Sequence, residues 1–191
     1  MVHRTGALHG ADTITAGGGD DTIDFTSDAA VDTFKFVDTN GADTIANFDQ
    51  NEDFLSFASI TADGTLAELA IANDAGTTLG VTTIGGTNST VYVIDTDATE
   101  LGTATGAAIS DFTSMTVVAT FLNSDDGVVT SGTSGKTDFF IINDGSVATA
   151  SYVYVLEDDG DGTTTVESTE LTLIGTITTD AALDIGDVLI A

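Results

Sequence analysis

Thr22-Ile23-Asp24-Phe25 alternates polar and apolar positions as a short, half-buried strand does. The alternation belongs to a tripeptide that returns four times in the first 45 residues: Asp12-Thr13-Ile14, Asp21-Thr22-Ile23, Asp32-Thr33-Phe34 and Asp43-Thr44-Ile45. Gly10, Gly19 and Gly41 stand two residues before three of these Asp residues. The run Gly17-Gly18-Gly19-Asp20-Asp21 supplies a tight turn, because successive glycines take positive φ at no steric cost. Each repeat therefore reads as a turn followed by a strand. The first step between copies is nine residues and the next two are eleven. So short a period indicates stacked, repeated turns. Two repeats make one coil of a parallel roll with the Ile side chains inside, and one carboxylate falls at the same point of every turn.

Beyond residue 55 the pattern changes. Residues 56–90 read as a transitional segment, in which Leu66, Leu69 and Ile71 form either a short helix face, capped by Asp63 or Thr65, or part of a loop. From residue 91 the spacing is that of an all-β chain. Strands are expected at Val91–Ile94, Met115–Phe121, Asp138–Ile142, Tyr152–Glu157, Leu171–Ile177 and Asp187–Ile190. Asn123 to Gly127, Asn143-Asp144-Gly145 and Asp158 to Gly162 are the turn signals between them. The expected architecture is all-β: a short parallel β-roll over 1–55 and a β-sandwich-like domain over 91–191. No linker rich in Gly and Ser separates the halves, so they are expected to pack together.

Composition adds a constraint. Among 191 residues, 31 are acidic and only Arg4, Lys35 and Lys136 are basic, giving a formal charge of -28. Such a surface repels nucleic acid and anionic membranes, and both are excluded as partners. It also repels itself. Either divalent cations offset that repulsion, or the chain lives in high salt, where acidic surfaces stay soluble. Disorder is not implied, because 41% of residues are hydrophobic and the mean hydropathy is positive. There is no Cys, hence no disulfide and no thiolate metal site, and no Pro. Residues 1–16 contain no apolar core of a standard signal peptide, and no apolar run approaches the length of a membrane span.

The segment Ala16-Gly17-Gly18-Gly19-Asp20-Asp21-Thr22-Ile23-Asp24 resembles the RTX nonapeptide GGxGxDxUx, with Ala16 in place of the first Gly. Residues 7–15 keep Gly10, Asp12 and Ile14. The third copy keeps Asp32 and Phe34 with Ala30 for Gly; the fourth keeps Gly41, Asp43 and Ile45, with Asn40 able to take the left-handed turn conformation. Residues 32–55 also look like the block that follows RTX repeats in type I secreted proteins. The resemblance implies a calcium-bound β-roll and an uncleaved C-terminal signal read by a type I secretion machine. Residues 183–191, acidic and then apolar, look like such a tail. Thr-, Ala-, Gly- and Asp-rich chains without Cys are also typical of RTX-bearing surface-layer proteins.

Calcium takes six to eight oxygens, mixing carboxylates with backbone carbonyls. Glycine turns expose carbonyls, and the Asp ending each turn adds a carboxylate between stacked turns. The candidate ligands are therefore Gly10, Asp12, Gly17, Gly19, Asp21, Asp32, Gly41 and Asp43. Loops on one side of a roll are two repeats apart, so Asp12 is expected to face Asp32 and Asp21 to face Asp43. The alternative is an Asx turn with no ion. A second candidate, Glu157-Asp158-Asp159-Gly160-Asp161-Gly162 with Glu170, resembles an EF-hand or dockerin loop. Asp159, Asp161 and Glu170 are its ligands, although Glu170 comes two residues late; a plain acidic hairpin turn fits equally well.

No enzyme is expected. His3 and His9 are the only histidines, no Ser-His-Asp set appears, no Lys follows Gly17-Gly18-Gly19, and the absence of Trp weakens any sugar-stacking platform. The leading expectation is a secreted, calcium-binding structural protein that self-assembles into a surface layer or filament. Its partners would be further copies of itself, bridged by calcium, and the type I secretion machinery. The alternative is the C-terminal secretion module of a larger hydrolase or adhesin; a third class is an adhesin or lectin using loops such as 123–127.

Overall fold

The computed structural model describes residues 3–4, 10–15, 17–25, 30–60, 66–71, 82–84, 89–97, 109–123, 129–131, 137–145, 150–159, 165–179 and 181–189. In chain order the strands are β1 (His3–Arg4), β2 (Thr13–Thr15), β3 (Thr22–Asp24), β4 (Thr33–Lys35), β5 (Asp43–Phe48), β6 (Phe54–Ser56) and β7 (Leu66–Ile71). They continue with β8 (Thr82–Ile84), β9 (Ser89–Asp97), β10 (Val129–Ser131), β11 (Thr137–Gly145), β12 (Ala150–Glu157), β13 (Leu171–Thr179) and β14 (Val188–Leu189). Among the described residues there is one α-helix, α1 (Met115–Leu122), between β9 and β10.

The repeats place alternate strands in different sheets. β1, β3 and β5 pair in parallel in one sheet; β2, β4 and β6 pair in parallel in the other. Ile23 stands opposite Ile45 in the first, and Ile14, Phe34 and Leu55 form one row in the second. The chain thus winds between two sheets, two repeats to the coil. Backbone bonds tie successive coils together where strands begin and end: Thr33 N–H to the Asp12 carbonyl (2.9 Å), Thr44 to Asp21 (2.8 Å) and Phe54 to Asp32 (2.9 Å). The apolar member of each tripeptide points inward because strand side chains alternate faces, and Ile14, Ile23, Phe34 and Ile45 are all buried.

The first sheet does not stop at β5. It runs in the order β1-β3-β5-β13-β12-β11-β9-β7, with antiparallel pairs β13–β12 and β12–β11 and parallel pairs elsewhere. Repeat strands and C-terminal strands therefore share one eight-stranded sheet. The second sheet ends at β14, which pairs in parallel with β6. Between the two sheets lies a core of the repeat residues with Val91, Val93, Phe139, Ile141, Val153, Val155, Ile174 and Ile177. Phe36 stacks on Phe57 at 5.1 Å, and Phe57 meets Phe139 at 4.9 Å, carrying ring contacts from one sheet to the other. Gly175 makes room for this stack, since a Cβ there would sit 3.1 Å from the Phe36 ring. The opposite face of the large sheet carries Tyr92, Ile94, Phe140, Ile142, Tyr154 and Leu156, covered by α1.

The structure corrects several local expectations. Residues 115–122 form a helix, not a strand. Val118, Ala119 and Leu122 are buried and Met115 packs beside them, so spacings of three and four residues give one apolar face, while Thr116 and Thr120 are exposed. Upstream, the Asp111 carboxylate accepts the Thr113 N–H (2.9 Å) and the Ser114 N–H bonds to the Asp111 carbonyl (3.2 Å), turning the chain into the helix. Residues 66–71 form an edge strand parallel to β9 rather than a helix or loop; the proposed caps Asp63 and Thr65 lie outside the described residues. Asn143-Asp144-Gly145 continues β11 instead of turning. Asn40 is not left-handed: Gly41 takes that role at φ 109°, and Asn47 in β5 is the one non-glycine with positive φ among the described residues. At the C-terminal end Asp187 belongs to a 3₁₀ turn, Ile185–Asp187, and the strand begins at Val188, running over Val188–Leu189; Ile190 lies outside the described residues.

Candidate metal centres

Each recurring Asp sits where a turn enters a strand. All four glycines named as ligands adopt positive φ: Gly10 (100°), Gly17 (90°), Gly19 (98°) and Gly41 (109°). Turns 17–21 and 38–43 stack closely, with the Gly19 N–H donating to the Asn40 carbonyl at 2.6 Å. A Cβ on Gly41 would lie 2.4 Å from the Gly19 carbonyl carbon, so this approach needs glycine.

The Asp residues stack in two columns, in the pairs anticipated from the repeat. Asp12 N–H donates to Asp32 Oδ1 (2.8 Å), and Asp32 N–H donates to Asp53 Oδ1 (3.0 Å). On the other side Asp21 N–H donates to Asp43 Oδ1 (3.1 Å), and Ala42 N–H donates to Asp20 Oδ1 (2.9 Å). Most of these carboxylates reach from one coil to the backbone of the coil before it. Asp21, Asp32, Asp43 and Asp53 are buried. The columns thus hold the coils together through backbone hydrogen bonds, which is the same service an ion-free turn would give.

Charge accumulates around Asp43. Burial pushes its carboxyl up to about 6 against the pull of the Asp21 N–H, and Asp21, Asp38 and Asp20 push it further the same way. Burial likewise raises Asp53, aided by Asp32 and Asp49. Crowded anionic oxygens beside glycine turns are a donor set suited to a hard divalent cation. Among the described residues, however, the column carboxylates do not form a group of three with all oxygens mutually close.

One such group does exist, in the connection between β12 and β13. Oxygens of Asp158, Asp159 and Glu170 lie within 4.8 Å of one another. Glu170 is buried; its Oε1 accepts the Asp159 N–H (3.2 Å) and its Oε2 accepts the Glu167 N–H (2.9 Å). The Glu157 N–H bonds to the Glu170 carbonyl (2.9 Å), extending the β12–β13 ladder to the site. From below, Asn123 fixes the same connection. Its side-chain amide donates to the Val166 carbonyl (2.7 Å) and accepts the Val166 N–H (2.9 Å), as a backbone partner would. The late arrival of Glu170 is accommodated because Glu167 and Glu170 close a turn, with the Glu170 N–H bonded to the Glu167 carbonyl at 3.1 Å. Asp161 lies outside the described residues.

Asp20, Asp38, Asp53 and Asp158 join these clusters, although they are not among the ligands expected from the sequence. Asp53-Phe54-Leu55 repeats Asp32-Thr33-Phe34 at a 21-residue separation, between the 20 residues from Asp12 to Asp32 and the 22 from Asp21 to Asp43, and the sequence carries that signal. Asp38 is not legible in the sequence: it reaches the cluster from a turn shaped by Gly41, and its carboxylate comes to lie beside Gly18 of the stacked turn. Compared with protein-family models, curated proteins and solved structures, the chain matches none of them.

Proposed function

We propose that the chain is a calcium-binding structural protein whose N-terminal coil is a parallel β-roll, and that it self-assembles outside the cell. The observation that carries this reading is the stacking of carboxylates in columns, with Asp20, Asp21 and Asp38 gathered around buried Asp43. A chain of charge -28 that concentrates like charges at its turns is stabilised by any ligand that neutralises them. Asp158, Asp159 and Glu170 offer a second donor group of the same chemistry. Secretion rests on the sequence resemblance alone.

Self-assembly is supported by the end of the coil. Among the described residues β2 is the outermost strand of its sheet. The Asp12 carbonyl faces β4, so by alternation Thr13 directs its backbone groups away from β4. Such an edge accepts another strand. It equally accommodates further coils, as the second reading requires, in which the chain is a module of a larger secreted protein.

The test is calorimetric titration of calcium into EDTA-treated protein, with electron microscopy of the same samples. We expect binding, and ordered polymers only with calcium. Asp43→Asn should weaken one class of sites and Glu170→Gln another, each by tenfold or more. Absence of calcium-dependent heat and of any change in assembly would overturn the reading.

A further inference from the structure

The C-terminal segment is held by the same kind of contact that Asn123 makes with Val166. Leu183 is buried and held at both backbone groups by one side chain: Asn143 Nδ2 donates to the Leu183 carbonyl (2.8 Å), and Leu183 N–H donates to Asn143 Oδ1 (3.2 Å). Ser151 Oγ donates to the same Oδ1 at 2.6 Å, fixing the amide. The chain then makes its 3₁₀ turn and lays β14 along β6, with Val188 opposite Leu55, covering what would otherwise be an open sheet edge. Between these two anchors lies Asp187, 2% exposed, its Oδ2 accepting the Asp184 N–H at 2.6 Å.

The charged groups that act on Asp187 are acidic. Asp184 from its own segment and Asp49 from the β5–β6 turn act on it. Strand β7, which also packs against residues 185–187, contributes one titratable residue by sequence, Glu68, and β6 contributes none. Burial and these like charges outweigh the one N–H that Asp187 accepts, so its carboxylate opposes docking when ionised and permits it when protonated.

We propose that residues 183–189 form a pH-responsive guard over the edge of β6, docked when the Asp187 carboxyl is neutral and loosened when it is ionised. The proposal is independent of any metal. Its sign follows from linkage. Burial holds the docked Asp187 carboxyl at about 6, against an ordinary value of 3.8. Docking is thus strongest below the ordinary value and weakens as pH rises through about 6. Between pH 7.5 and pH 5 the docking equilibrium should strengthen about tenfold.

Hydrogen exchange of the full chain in EDTA tests this, with exchange corrected for intrinsic rates and β12–β13 as the internal reference. Peptides covering 181–189 should exchange about tenfold more slowly at pH 5 than at pH 7.5, relative to the reference. Asp187→Asn keeps an oxygen for the Asp184 N–H and should remain protected at both pH values. Asp49→Asn, which removes one neighbouring charge, should raise protection at pH 7.5 without abolishing the pH response. A tail that tracks the reference at both pH values, or an Asp187→Asn chain with the wild-type response, would overturn the proposal.

Discussion

Gly41 and Asp43, two residues apart, separate two demands on the repeat, one steric and one electrostatic. Gly41 combines positive φ with a backbone neighbour in the space of a Cβ, whereas Gly17 has positive φ and open space. Gly17→Ala should therefore cost only the left-handed penalty, about 1–2 kcal/mol. Gly41→Ala adds the collision with Gly19 and should cost roughly 3 kcal/mol or more, because the turns must separate. Urea denaturation of both variants checks this; equal losses would mean that stacking of the turns is unimportant. Asp43 sets a pH dependence of unusual direction. Its carboxyl is raised to about 6 in the fold, so the metal-free protein should lose stability as pH rises from about 4 through 6. Melting curves in EDTA from pH 4.5 to 7.5 should show this slope, and calcium should flatten it by favouring the ionised form. At this scale the repeat was readable, because glycine and Asp recur for local reasons. Asn47 was not: its left-handed φ of 58° accompanies a register shift between β5 and β13, a contact between residues far apart in sequence.

The β12–β13 connection and helix α1 stabilise each other as elements. Asn123 follows the last helical residue and bonds both backbone groups of Val166, while Val166 is buried in the core that α1 covers. Asn123→Ala removes both bonds and leaves the Val166 amide without its partner, at a cost of about 2 kcal/mol. It should also lower metal affinity at Asp158, Asp159 and Glu170 by loosening the connection that carries them. Calorimetry on this variant, beside Glu170→Gln, distinguishes loss of positioning from loss of a ligand; unchanged affinity would mean the connection is held by other contacts. Sequence alone misread α1 because Met115-Thr-Val-Val-Ala-Thr-Phe-Leu122 is rich in β-branched and aromatic residues. Burial of Val118, Ala119 and Leu122 against the sheet outweighs that preference, and eight residues are too few for periodicity to be decisive. Leu66–Ile71 shows the reverse. Its composition suits a helix, but pairing with β9 makes it a strand.

For the whole molecule the decisive fact is that β5 pairs with β13. That pairing joins the repeats to the C-terminal strands in one sheet, and nothing local encodes it, since Ile45 and Ile177, which stand opposite each other in register, are 132 residues apart in sequence. The consequence is cooperative: loosening the coils at their carboxylate columns should propagate into the large sheet, so one transition is expected rather than two. Charge then offers a global test. With a formal charge of -28, the metal-free protein should gain stability from salt, because ions screen repulsion beyond a Debye length of about 10 Å at 0.1 M. Screening depends on ionic strength, not on which ion supplies it. Site binding depends on the ion, and at about 100 times the dissociation constant it contributes about 2.7 kcal/mol for each site. Calcium chloride at millimolar concentration should therefore raise the melting temperature by roughly 5–10 °C above sodium chloride of equal ionic strength. Magnesium should do less, since its small octahedral shell dehydrates reluctantly. If the calcium and sodium curves coincide at matched ionic strength, the columns are backbone staples alone, and the acidity serves only to keep the chain soluble.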